Sequence, residues 1–272
     1  MGNIVVIGPR RSGKTTYLAA LSYLPALRSR KGKDSNFKIQ PLNDESRDLA
    51  ENAENIIVEG ATFEPTVIGD KLQSVDDLPY YSFQLQVKKG LLKKPENIQI
   101  NVRDYPGEVF EKIADRNLSD EIHQEFIDEC LMSDVNGCLI LFTQWEHGTD
   151  KFYYRVMSQF LKLMDERNRT NNLKLAVVMS KCERGELWPG RIDPETDLFG
   201  IHLPRTKTIL KDSLNSKNLQ FYALSTFGVL HKNDPRPNRI DQAGSNGSES
   251  VLREPNSWQP YNLIEPLYWL SK

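Results

Sequence analysis

Cysteine is scarce in this chain of 272 residues: there are 3, at Cys130, Cys138 and Cys182. An odd, sparse set is no disulfide framework and fits a reducing compartment. The four histidines, His123, His147, His202 and His231, are scattered and show no metal-ligand spacing, which argues against a His/Cys metal centre. Long apolar runs are missing as well. None reaches the roughly 18 residues that a membrane helix needs, and Ile4 to Ile7 is too short for the apolar part of a leader. An excess of one charge is also absent. With 35 basic and 37 acidic residues the net charge is −2, so bulk charge does not point to nucleic acid or a membrane surface. No internal repeat is visible. The expectation is a cytoplasmic chain without a membrane span, long enough for one large domain with a full core.

What is present is an alternation of short apolar runs and helical patterns. Residues 3–8 (NIVVIG) read as a buried strand. A helix follows over 13–24, with Leu18, Leu21 and Leu24 at helical spacing and Pro25 as its stop. Residues 44–60 read as a helix ended by Gly60, and 81–87 with 98–104 as the two arms of a hairpin. The runs 137–143, 173–180 and 219–225 suit parallel strands, separated by helices near 119–133, 150–168 and 205–215. Residues 231–250 lack apolar periodicity and are rich in Gly, Pro, Asn and Ser, which predicts a mobile loop reaching to about 256. A last helix is expected within 260–272. This order predicts an α/β three-layer sandwich of P-loop NTPase type, with a mostly parallel six-stranded sheet and one antiparallel edge strand. It forms one domain, interrupted by an insertion at about 28–78.

The motif that carries chemistry lies at the end of the first strand. Gly8, Pro9, Arg10, Arg11, Ser12, Gly13, Lys14 and Thr15 match G-x-x-x-x-G-K-[ST] without a gap, and Thr16 continues into the helix. Glycines let backbone N–H groups curl around a polyphosphate, and the helix N-terminus adds partial positive charge. Lys14 is placed for the β- and γ-phosphates and Thr15 for Mg²⁺. Asp104 ends an apolar strand and is followed by Tyr105, Pro106 and Gly107. An acid there reaches Mg²⁺ directly or through water, and the Gly107 N–H can meet a γ-phosphate. After the strand at 173–180 come Ser180, Lys181, Cys182 and Glu183. A carboxylate here can accept from guanine's ring N–H and amino group while the Lys181 stem covers the base. Residues 222–226 (YALST) end the last strand, where a backbone N–H such as that of Leu224 can meet the guanine carbonyl.

With these elements in this order the chain resembles the Ras-like P-loop GTPases. GPRRSGKTT looks like their phosphate loop, DYPGE like the Asp-x-x-Gly switch II motif, SKCE like the Asn/Thr-Lys-x-Asp base motif, and ALS, with Ser225, like the Ser-Ala-Lys loop. The resemblance covers roughly 1–228 and the final helix. The insert, ATFEPT and PYNLIEPLYWL look like the bacterial double-GTPase-like branch of TRAFAC type, which implies regulatory GTPases in bacterial signalling or conflict systems. It further implies GTP and GDP as ligands, Mg²⁺ as cofactor, an effector or activating protein as partner, and pairing of two copies as an option. By the same resemblance Thr66 looks like the switch I threonine that reaches Mg²⁺, with Thr62 as competitor.

Three positions depart from the Ras pattern. Glu108 stands where a Gln usually orients the attacking water; a carboxylate there is electrostatically awkward, or acts as a base if its pKa is raised. Glu183 replaces the usual Asp, which puts GTP over ATP in question. Arg10 and Arg11 fill places that are small in Ras; the expectation for Arg10 is solvent or a partner, and for Arg11 either that or an arginine acting in cis. Two readings stand beside the switch: a nucleotide-binding interaction module with little hydrolysis, and a P-loop ATPase. The basic clusters at 28–33 and 88–94 read as solvated loops, and Trp145 and Trp188 as local packing.

Overall fold

A computed structural model describes residues 3–30, 37–59, 78–87, 96–103, 105–114, 121–143, 148–241 and 250–272. Its centre is a four-stranded parallel sheet in the order β1 (Asn3–Ile7), β5 (Val135–Phe142), β6 (Lys174–Met179) and β7 (Leu219–Ala223). Successive side chains of a strand point to opposite faces. Cys138, Ile140 and Phe142 therefore join one buried cluster, while Leu139 and Leu141 join another. Leu175, Val177 and Met179 divide from Ala176 and Val178 in the same way. Burial on both faces is why these strands read as unbroken apolar runs.

The first face is covered by α3 (Gly107–Lys112), α4 (Glu121–Leu131), α5 (Thr149–Glu166) and α7 (Pro204–Ser213). A single turn, α6 (Gly200–His202), precedes α7. The second face is covered by α1 (Lys14–Arg30), α2 (Asp44–Glu51) and α8 (Glu265–Leu270). The three-layer α/β architecture is as expected. The strand count is not: four strands pair in parallel, not six. The hairpin arms β3 (Tyr80–Val87) and β4 (Glu96–Arg103) register with each other along eight residues. A further strand, β2 (Phe37–Pro41), pairs antiparallel with β3 and completes a separate three-stranded sheet. Strand β4 runs beside β1, where Asn101 Nδ2 donates to Asn3 Oδ1 at 2.6 Å.

Two further expectations are corrected. Helix α1 continues through Pro25 to Arg30. Proline removes one helical hydrogen bond, but Tyr17, Leu18, Leu21 and Leu24 are already buried on the sheet before that point, and their packing holds the helix. The expected helix at 44–60 is broken: α2 ends at Glu51 and one π-type turn spans Asn55–Glu59. The loop expected from 231 to about 256 instead holds strand residues at 231, 234–237, 239–241 and 250–252: β8 (Val229–His231) pairs with β9 (Asp234–Pro237), and β10 (Arg239–Asp241) with β11 (Ser250–Leu252). These strands bury Asn238 and Arg239. Each strand is only three or four residues long and the segment's inward residues mix Leu230 and Leu252 with polar Asn238 and Arg239, so apolar periodicity could not reveal them.

The end of β5 is fixed by one aromatic pair. Phe142 stacks on Tyr153 of α5 with centroids 4.2 Å apart. The Tyr153 hydroxyl donates to Thr143 O at 2.6 Å and accepts from Thr143 N at 2.8 Å. Tyr153→Phe strands two buried backbone groups and is expected to cost about 1–3 kcal/mol. Urea denaturation checks this, and an unchanged midpoint would show that water replaces the hydroxyl.

Candidate functional site

Loop 8–13 connects β1 to α1 and lies at the carboxyl end of the parallel sheet. A Cβ at Gly8 would fall 2.6 Å from the Leu141 carbonyl oxygen of β5, so the loop can pass this close only without a side chain. Ser12 N closes a turn onto Pro9 O at 3.3 Å, and the first helical bond runs from Tyr17 N to Gly13 O at 2.8 Å. The helix itself serves none of the N–H groups of its first turn, which include those of Lys14, Thr15 and Thr16. The Lys14 ammonium arches back and donates to Gly8 O at 3.0 Å. Ser12 is buried, and its hydroxyl has no partner among the described residues.

A cleft holding about 60 Å³ of enclosed space, open at its mouth, runs from this loop to the ends of β6 and β7. Arg11, Ser12, Gly13 and Thr16 line one end; Ser180, Lys181 and Glu183 line the other. Arg11 takes a left-handed backbone (φ 60°), which sets it at the rim. Lys181 is also left-handed (φ 57°), and its stem passes over Gly13. Burial, with Arg239 and Arg184 adding to it, pushes the Lys181 ammonium down from 10.5 to about 8. Glu183 is 1% exposed. Its Oε1 accepts from Arg239 Nη1 at 3.0 Å, whereas Oε2 has no partner among the described residues.

Several expected residues turn elsewhere. The Ser180 hydroxyl donates to Phe142 O at 2.8 Å. Leu224 N is committed to Met179 O at 2.9 Å, so it is not the donor expected for a base carbonyl. Ser225 does not line the cleft; its N–H pairs with Tyr261 O at 3.1 Å and its hydroxyl accepts from Gly228 N at 2.7 Å. Trp188 packs locally, under Arg191 and edge-on to Tyr261. Arg239 is the residue that sequence reasoning missed. The only signal was a basic residue in a polar stretch, and nothing local says that it folds inward.

On the phosphate side, Gly107 opens α3 directly against the loop. A Cβ there would fall 2.0 Å from Arg10 N. Arg10 N donates to Glu111 Oε1 at 3.2 Å, and the Arg10 guanidinium pairs with the Glu108 carboxylate. Arg10 therefore meets the acid of α3, where solvent or a partner was expected, and it offsets the negative charge there. Glu129 of α4 ties down both neighbours of position 104: it accepts from Arg103 Nε at 2.9 Å and from the Tyr105 hydroxyl at 2.6 Å. Burial, then the Glu129 hydrogen bond, raises the Tyr105 pKa. Asp104, Thr62 and Thr66 lie outside the described residues.

No family model and no curated protein matches the chain. Its neighbours among solved structures are GTPase-like domains. They include elongation factor SelB of Methanococcus maripaludis in complex with the GTP analogue GppNHp, at 14% identity over 83% of this chain and 30% of that one, TM-score 0.36. The GTP-bound GTPase-like domain of S. cerevisiae Ski7 matches at 14% identity over 99% and 49%, TM-score 0.42. The SRβ-GTP/SRX complex of Chaetomium thermophilum matches at 12% over 83% and 94%, TM-score 0.37. The chain spans less than half of the SelB and Ski7 chains. No helix among the described residues is long and apolar enough to cross a membrane.

Because the Lys181 pKa is depressed in the fold, the unfolded chain binds more protons between about pH 8 and 10.5. Stability therefore rises with pH across that window, and the penalty for holding the charged amine is full below it. Lys181→Met removes this dependence. Wild type is expected to gain on the variant as pH rises from about 8 to 10.5 in denaturant titrations. A constant difference would mean that the amine is solvated.

Proposed function

We propose that the chain binds a guanine nucleoside triphosphate in this cleft, hydrolyses it slowly, and acts through its switch segments on a partner protein. The observation that carries the reading is the pair of buried oxygens at the two ends of one cleft that have no partner among the described residues, the Ser12 hydroxyl, free to donate, by the phosphate loop and Glu183 Oε2, free to accept, by the strand ends. Buried polar atoms are normally satisfied. A ligand carrying a polyphosphate at one end and N–H donors at the other answers both. The N–H groups of residues 13–16 and the Lys14 ammonium would hold the phosphates. Arg11, at the rim, is available to the same charge.

Mg²⁺ would be held by Thr15 together with Asp104, and by Thr66 or Thr62 once the γ-phosphate is present; when bound it would neutralise charge on the β- and γ-oxygens. The fit is partial among the described residues. Thr15 stands in the first turn of α1, at the right end of the loop, and no group of three or more His, Cys, Asp or Glu side chains placed to hold a metal ion lies among them. Hydrolysis joins a water oxygen to the γ-phosphorus and breaks its bond to the bridging oxygen, giving GDP and phosphate. Glu108 could take the water's proton, a step that the Arg10 cation beside it opposes. The Arg10–Glu108 pair thus favours a second reading, a nucleotide-binding module with little turnover. One domain with an insertion at 28–78, a cytoplasmic setting and pairing of two copies belong to the same proposal. So do bacterial signalling as the setting and a double-GTPase-like ancestry.

Titration of labelled GTP, GDP and ATP with Mg²⁺ tests the binding claim. Lys14→Ala is expected to weaken triphosphate binding tenfold or more, the scale of one charge-assisted bond of about 1.5–3 kcal/mol. Single-turnover hydrolysis then separates the two readings. Arg10→Ala, which frees Glu108, is expected to change the wild-type rate several-fold; no turnover in either protein leaves the binding module. Tighter binding of ATP than of GTP would replace both with an ATPase.

A further inference from the structure

The polar segment after β7 delivers one buried cation to the cleft. Arg239 is 5% exposed, and four donated bonds fix it. Nε and Nη2 donate to Asp241 Oδ1 at 2.9 and 2.7 Å, Nη2 also to Ser250 Oγ, and Nη1 to Glu183 Oε1 at 3.0 Å. The guanidinium lies 5.3 Å over the Phe227 ring. Asp241 is itself held by Arg184 at 2.9 Å. The segment is fastened by Asn238, which donates to Glu254 O at 3.1 Å and accepts from Glu254 N at 2.7 Å. A guanidinium has five N–H groups. Four are taken by described residues, and the fifth is on Nη1, the nitrogen that already holds Glu183.

Among the described residues, the far end of the cleft therefore carries a spare donor on Arg239 beside a spare acceptor, Glu183 Oε2. Guanine mates with such a pair: its O6 accepts, while the neighbouring N1–H and 2-amino group donate. Adenine offers a lone pair at N1 and an amino group at the O6 position, so it sets an acceptor against a carboxylate and a donor against a cation. The backbone donor that could have served O6, Leu224 N–H, is spent within the sheet. We infer that Arg239 is a specificity-determining residue that reads the guanine carbonyl, and that Glu183 and Arg239 recognise the base as one unit. This rests on the nucleotide reading above.

The test is an equilibrium titration of GTP, ATP and inorganic tripolyphosphate against wild type, Lys14→Ala, Arg239→Ala and Arg239→Lys. Tripolyphosphate has no base, so it reports the phosphate loop alone. Wild type is expected to prefer GTP to ATP. Arg239→Ala is expected to lose about ten- to a hundredfold in GTP affinity, the range for one hydrogen bond to a charged group, with tripolyphosphate and ATP changed less than threefold. Removing one partner of a buried ion pair can also unfold a chain. Arg239→Lys keeps a cation beside Glu183 and loses the fork, and is expected to reduce the GTP-to-ATP ratio at least fivefold. An unchanged ratio in Arg239→Lys overturns the inference. So does tighter GTP binding in Arg239→Ala, which would make the arginine a plug. Tripolyphosphate binding that Lys14→Ala abolishes, in a wild type blind to the base, overturns this inference and leaves the phosphate site standing. Failure of every ligand to bind overturns both.

Discussion

A carboxylate with almost no exposure must be answered by a cation, and much of the carboxyl-end architecture follows from that need at Glu183. An isolated ion in a low-dielectric interior is too costly to keep. The answering charge comes from 56 residues away in sequence, on Arg239. Bringing it there requires β8 to β11, whose strands are only three or four residues long. Such strands do not persist alone. They are held by Asn238, by Trp258, which donates to Thr226 O at 2.8 Å and stacks on Tyr23, and by the bridge between Ser225 and Tyr261. Polar bonds thus work in this segment beside the burial of Phe227, Leu230 and Leu252.

The phosphate side of the cleft obeys a different constraint, that of backbone packed on backbone. Gly8 sits against the β5 carbonyl of Leu141, and Gly107 against Arg10. Neither contact tolerates a Cβ, so the phosphate loop can pass this close to β5 and to α3 only with glycine at these two positions. Salt bridges exposed to water contribute little by themselves. The Arg10–Glu108 pair is half open to solvent, so its importance is positional: it joins the phosphate loop to α3, whose N-terminal residues follow position 104.

The parallel sheet was legible because each of its strands is buried on both faces and hence written as an apolar run. The loop from Gly8 to Thr16 was legible because glycines, lysine and threonine at that spacing have a local physical meaning. The hairpin announced itself by alternation, but β2 did not: Phe37–Pro41 carries Lys38 and Gln40 on its open side and has only Phe37 fully buried. Pro25 misled because a local rule about helix interiors was outweighed by packing. Arg239, Asn238 and the fates of Leu224 N and Ser225 were not legible at all. Each is decided by a partner far away in sequence, and single-chain patterns carry no record of which distant polar groups meet. The partner chosen by Arg10 was hidden for the same reason.

Lys181 has one consequence for the energetics of the cleft. An ammonium whose pKa lies near 8 is only partly protonated in mildly alkaline solution. Any polyanion that settles beside it favours the charged form, so association draws a proton from the buffer. The heat released on binding then contains the buffer's own ionisation enthalpy and differs between phosphate and Tris at the same pH. Affinity for such an anion would fall as the solution becomes more alkaline. A cleft that takes a polyanion would thus couple its capture to proton uptake through one amine.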